Sequence, residues 1–445
     1  MLQVRRYMQL ATCSLSPVTL PFVMRTLTLL ASFVISFGAY SQKDTGYLLQ
    51  PDRVFDGEKL LTGVSVFIHN DKIAAVGPTA SIKPTGDVVV IKLPGCTLMP
   101  GLIEGHSHLL LHPYNKTTWN DQVMKESDAY RVARATVHAK NTLLAGFTTV
   151  RDLGSEGAGY ADVGLKKAIE DGIIPGPRMI VAGRAIVATG SYGPKGFDTD
   201  FEVMLGAEAA DGNDLIRVVR DQIGKGADVI KVYADYRWGL NDKTAPTFSV
   251  EELKLIVETA KSSGRSVVAH ASSAEAMRRA VLAGVSTIEH GDGGTLEVFQ
   301  MMKEKGVALC PTINAGYSIA QYRGWTAGSL PEPEGVKQKR ASYQAAIQAE
   351  VTIIAGGDVG VFTHGENVKE LEMMTEYGMM ADQVLRSATS VNADVFGIAN
   401  ITGRIKEGLK ADILVVQGDP TKNISDLRKA KLVMKDGIVY RHEKL

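Results

Sequence analysis

His106 and His108, in the segment GLIEGHSHLLLH, stand one residue apart at the end of an apolar run. Side chains on a strand repeat every two residues, so the pair faces one side and can share a metal ion. Farther along, residues that bind metals, or can be converted to do so, lie at or near the ends of apolar runs of their own: Lys231 in DVIKVYAD, His270 in SVVAH, His290 in VSTIEH and Asp358 after VTIIAGG. Taken alone each has an ordinary structural use, His270 as a hydrogen-bonded core residue and Asp358 as a helix cap. Five run ends carrying such residues point instead to one shared centre.

Lys231 is the hardest to explain by packing. It lies between Ile230 and Val232 in a run that reads as a strand buried on both faces. An unpaired ammonium is costly there and its pKa falls. A lysine so depressed can react with carbon dioxide to give a carbamate, an anion with two oxygens able to bridge two cations. The charges of two divalent ions would be nearly balanced by that carbamate, Asp358 and a bridging hydroxide, with neutral histidines filling the other positions. Two metals sharing a hydroxide generate a nucleophile at neutral pH and polarise a carbonyl.

The elements that must hold these residues follow from the hydrophobic pattern. From Gly101 to about Gly397, strand-like runs (FTTVRD, RMIVAG, DVIKVYA, SVVAH, VSTIEHG, VALCPT, VTIIAGGD) alternate with helical stretches such as Ser127 to Leu144, Leu215 to Ile223, Ser249 to Ser262 and Ser273 to Leu282. With the run ending at His108 there are about eight βα units. That is the number that closes a parallel barrel, an open doubly wound sheet being the alternative. Functional residues of a barrel gather at the C-terminal ends of its strands, where these six sit. Both chain ends read differently, as short apolar runs separated by turns (VSVFIHNDKIAAVG, DVVVIKLPG; ADILVVQGD, KLVMKDGIVYR). They predict one small β domain assembled from both termini. The expected organisation is an export signal over 1–41, a first β-sandwich part over 42–97, a (β/α)8 barrel over 98–400 and a second sandwich part over 401–445.

The export signal rests on Arg25 followed by the apolar Thr26 to Gly38, too short for a membrane span of roughly 20 residues, and on the small residues of Ala39-Tyr40-Ser41. Met24 would make a more usual signal start than Met1. The chain is therefore expected to be exported, to a periplasm or beyond the cell, without a stable membrane span after processing. Its 49 basic and 49 acidic residues balance, and no long basic block argues for nucleic acid. The expected partner is a small molecule or dipeptide, and the composition leaves a homo-oligomer open. Cys96 and Cys310 lie in apolar surroundings and are expected to be buried thiols.

In this order and spacing, MPGLIEGHSHLL, IKVYAD, VVAHASS, IEHG and AGGDVGVFTHGEN resemble the amidohydrolase superfamily, and within it the secreted prolidase and imidazolonepropionase-like group. The resemblance covers nearly all of the chain after the leader. It implies a metal-dependent (β/α)8 TIM barrel with a β-sandwich built from both ends. It assigns His106, His108 and Asp358 to the more buried metal, His270 and His290 to the second, and a carboxylated Lys231 to the bridge, both ions expected to be zinc. Lysine at this position resembles the binuclear members. The implied reaction is attack of the bridging hydroxide on an amide carbonyl, most simply of an Xaa-Pro or related dipeptide, with Asp358 carrying the proton to the leaving nitrogen. The resemblance makes Tyr233 a substrate contact, and Tyr236, Arg237 and His364 are further candidates from nearby loops. The glycine-rich TGSYGPKG, Thr189 to Gly196, is expected over the pocket, and His69, His112 and His138 are expected to be structural. Alternatives are hydrolysis of a cyclic amide such as an imidazolone or hydantoin, or of an ester or lactone, and a metal-binding protein without turnover.

Overall fold

The apolar runs at both ends of the chain become neighbours in one sheet. In the computed structural model, which describes residues 45–443 except 199, strands Thr45–Phe55 and Asp87–Pro100 pair in parallel. The hairpin Val64–His69 and Lys72–Pro78 extends one side, and Ile413–Gln417, Ala430–Lys435 and Ile438–His442 extend the other. Alternation then buries Leu49, Val66, Ile68, Leu98, Val415 and Met434 in a core of their own. The sheet curls until its far parts meet: Ile73 N–H donates to Leu409 O, and Gly408 N–H to Ile73 O, each at 2.9 Å. The export signal expected over 1–41 lies outside the described residues.

Gly101 separates the sheet from the first barrel strand, Leu102–Ser107; a Cβ there would meet the Thr148 side chain at 2.1 Å. This strand pairs in parallel with Phe147–Asp152, which pairs with Arg178–Val181. A second parallel ladder joins Ile230–Tyr233, Val267–Ser273, Thr287–Gly293 and Ala308–Cys310. The ladders connect where Asp228 N–H donates to Val181 O at 2.8 Å and Val232 pairs with Ile186. On the other side residues 351–358 form the eighth stave. Leu309 N–H donates to Thr352 O at 2.8 Å, and Gly105 N–H to Ala355 O and Asp358 N–H to His106 O at 2.9 Å. The staves thus run round a (β/α)8 ring.

The eighth stave is not a regular strand, and Gly356 is the reason. A Cβ on it would come 2.6 Å from both Cys310 Sγ and His106 N. The glycine lets this backbone press against the first strand. Helices return between the staves where the sequence caps them. Ser249 and Glu252 form a reciprocal capping box on Val250–Lys261, and Ser127 and Ser273 cap Asp128–Leu144 and Ala274–Ala283. Cys96 and Cys310 are buried free thiols.

Candidate metal centre and active site

Five barrel staves deliver their terminal polar side chains to one cavity of about 570 Å³. His106 and His108 leave the first strand on the same side, as the period of two requires, with ring centroids 5.2 Å apart. Asp358 comes from the eighth stave in a left-handed conformation (φ +62°) that turns its carboxylate inward. Its Oδ1 is buried, makes no hydrogen bond among the described residues, and is faced by His108 Nε2 at 3.3 Å and His106 Nε2 at 3.7 Å. The three side chains can offer ligand atoms that all lie within 4.8 Å of one another. An orphaned buried oxygen among imidazole nitrogens fits a divalent cation, which would satisfy all three.

Lys231 is fully buried, its Nζ 3.4 Å from His106 Nε2. Burial pushes its pKa down, against the opposing pull of Glu289 and Asp358. His290 lies 5.2 Å from His106 and 4.4 Å from His270, centroid to centroid, so the six residues expected at one centre are brought together. Burial, with Lys231 nearby, lowers His106 to about 4 and leaves its imidazole neutral. Burial likewise pulls His270 and His290 well below the ordinary value. His108 goes the other way, to about 9, because the Asp358 carboxylate outweighs burial, and Asp358 itself falls to about 2 against the cost of burial.

A second layer of residues, not anticipated from the sequence, orients these side chains. Glu289 Oε2 accepts from His106 Nδ1 at 2.9 Å, and Gly154 O from His108 Nδ1 at 2.9 Å; each bond turns Nε2 toward the cavity. Arg151 Nη2 donates to Glu289 Oε1 at 2.8 Å. Thr312 Oγ1 lies 2.8 Å from His290 Nδ1, and both of these residues have positive φ. Asp235 Oδ1 lies 3.5 Å from His270 Nε2, the carboxylate being held by Ser272 and Ser273. Glu104 locks the first and eighth staves together, accepting from His106 N, Gly357 N and Asn367 Nδ2. Charged residues inside apolar strands were the available signal for Glu289 and Arg151, as for Lys231.

Of the four expected substrate contacts, Tyr233, Tyr236 and Arg237 line the cavity, and Tyr192, Gly193 and Lys195 bring the glycine-rich loop to its wall. Tyr233 stacks on His270 at 4.5 Å. His364 does not reach the cavity. Its Nε2 donates to Leu111 O at 3.0 Å and its ring stacks on His138 at 4.1 Å, because the loop after Asp358 folds back over the segment behind His108. His112 and His138 belong to the same stack.

Comparison with known proteins agrees with this architecture. The model of the amidohydrolase family matches residues 97–439. An ochratoxinase of Aspergillus niger is 31% identical over 407 residues, covering 85% of this chain and 82% of its own. Among solved structures, a Xaa-Pro dipeptidase with bound methionine in the active site superposes with a TM-score of 0.78 at 31% identity, over 89% of this chain and all of that one (100%). A prolidase complexed with N-methylphosphonate-L-proline gives 0.77 at 27% identity, over 89% and 100%. The chain belongs to the amidohydrolase family and is an amide-hydrolysing enzyme.

Proposed function

We propose that this protein is an exported, binuclear metal-dependent dipeptidase acting on Xaa-Pro or related dipeptides. The observation that carries the proposal is the convergence of His106, His108 and Asp358 on one point beside a fully buried Lys231, with His270 and His290 adjoining. In this reading His106, His108 and Asp358 would hold one ion and His270 and His290 the other, with a carboxylated Lys231 serving both; zinc suits the ligand types. Ions held there would supply an activated water and polarise the scissile carbonyl. The Asp358 carboxylate, with Oδ1 facing the imidazoles, would accept the water's proton and return it to the leaving nitrogen. Tyr233, Tyr236 and Arg237, on the cavity wall, are the donors available to the substrate carboxylate. The likeness to a Xaa-Pro dipeptidase and a prolidase supports this substrate class.

A second reading, a bulkier amide, is favoured by one observation. A further cavity of about 960 Å³ shares Tyr236, Arg237, His270 and Ile319 with the first and carries Tyr317 and Trp325. Residues 42–445, supplied with zinc and bicarbonate, should release amino acids from Xaa-Pro dipeptides, and chelator should abolish the release. Release only from large N-acyl amino acids would move the assignment to the second reading; a protein that holds two metals yet cleaves neither panel would sink both.

A further inference from the structure

Glu156 is a buried carboxylate in the wall of the same cavity that no step above uses. It follows the second barrel strand in a left-handed conformation (φ +49°), a strained placement that persists where the surroundings enforce it. Its main chain is held by Arg131, whose guanidinium donates to the Glu156 and Ser155 carbonyls at 2.8 and 3.0 Å. The carboxylate itself makes no ion pair among the described residues. Oε2 is filled, accepting from Tyr192 OH at 2.7 Å and Trp119 Nε1 at 2.8 Å. Among the described residues Oε1 has only the long contact to Tyr233 OH at 3.4 Å. A buried anion with one oxygen so poorly served is costly unless a cation completes it.

The surroundings suit an organic ammonium. Tyr192 packs against Trp119, Tyr233 and Tyr236 with centroids 5.3, 4.6 and 4.8 Å apart, a cluster of aromatic rings of the kind that attracts cations. Position matters equally. A Cβ on Gly154 would lie 3.2 Å from Glu156 Oε1 and 3.5 Å from His108 Cε1, so the carboxylate is only a side chain's width from the proposed centre. In a dipeptide the α-nitrogen is about 2.5 Å from the carbonyl carbon that is attacked, as N–Cα–C geometry dictates. Whatever recognises a free α-ammonium must therefore stand immediately beside the metals, and must also offset their repulsion of a positive group.

We infer that Glu156 Oε1, backed by the Tyr192–Tyr233–Trp119 wall, is the subsite for the substrate's free α-ammonium and selects unblocked dipeptides over N-acylated ones. This rests on the proposed amide hydrolysis at the adjoining centre, with Arg237 on the same cavity available to the opposite, carboxylate end.

The test uses two ligands, L-alanyl-L-proline and N-acetyl-L-alanyl-L-proline, with zinc-loaded wild type and Glu156→Gln. kcat/KM is compared where the pair is turned over, and Kd by calorimetry where it is not. Wild type should prefer the free amine by at least about tenfold, the scale of one charge-assisted hydrogen bond, and Glu156→Gln should lose that preference. Preference without turnover would retire the dipeptidase proposal and keep the subsite. Equal handling of the two ligands by wild type overturns the subsite, whether or not the variant folds. So does a variant that weakens both equally, since that is what loss of the aromatic wall's anchor alone would do.

Discussion

Glu289 fixes His106 and is itself fixed, by Arg151 on one oxygen and His106 on the other, in a wholly buried position. Removing its charge should loosen the imidazole and also lower stability, because Gln keeps the size and one acceptor but leaves the buried Arg151 guanidinium without its partner charge. Glu289→Gln is expected to weaken zinc binding about 10- to 100-fold, the range seen when a carboxylate behind a ligating histidine is lost. Competition with a chromogenic chelator measures it; unchanged affinity would deny the carboxylate that role. At this scale the sequence is informative where burial and charge conflict. Lys231 stands out because nothing else explains a lysine inside IKV. Glu289 and Arg151 carry the same signal in IEH and VRD, but strict alternation allows only one of Glu289 and His290 to face inward. Both do so because His290 adopts φ +75°, a departure no pattern of residue types announces. Glu156 is hidden for the same reason, on a loop whose left-handed turn decides where its side chain goes.

Among the elements, the helix Asp128–Leu144 has a task beyond covering the barrel. It presents His138, whose Nδ1 donates to Leu109 O at 2.8 Å, while His364 holds Leu111 O, so two stacked rings brace the segment that follows His108. Burial lowers the His138 pKa to about 4, against 6.5 for an ordinary histidine. Between those values the unfolded chain binds a proton that the folded chain refuses. Stability is therefore complete above pH 6.5, falls as the pH drops toward 4, and levels off below, with a loss of up to about 3 kcal/mol from this ring. His138→Asn keeps a donor and removes the titration, so its loss of stability between pH 7.5 and 4.5, followed by urea unfolding, should be smaller than that of wild type. Equal losses would show that the ring is not held neutral by the fold. Hydrophobic runs made the staves and these helices legible. They could not show that the eighth stave would be held by only a few hydrogen bonds, because that depends on how closely Gly356 lies against the first strand.

On the scale of the whole molecule, the sheet built from both chain ends supports the barrel at the end opposite the proposed metals. Leu414, Val416 and Val433 share a core with Leu102 and Phe147 at the strand beginnings. A charged contact accompanies this apolar one. Arg178, opening the third barrel strand, donates to Asp412 Oδ2 at 2.5 Å and Asp436 Oδ1 at 2.6 Å, both from the C-terminal part of the sheet. Asp412 is 1% exposed, so its carboxylate depends on that guanidinium and on the Asp436 N–H at 2.9 Å. Arg178→Met should therefore cost about 3–5 kcal/mol, the penalty of stranding a buried partner, while adding Asp412→Asn should recover part of it. The denaturation midpoints of the two single variants and the double variant close the cycle. Turnover per folded molecule should hardly change, because Arg178 begins its strand and the chemistry sits where strands end. A large fall in turnover at unchanged stability would instead mean that the sheet shapes the active site through the length of the barrel.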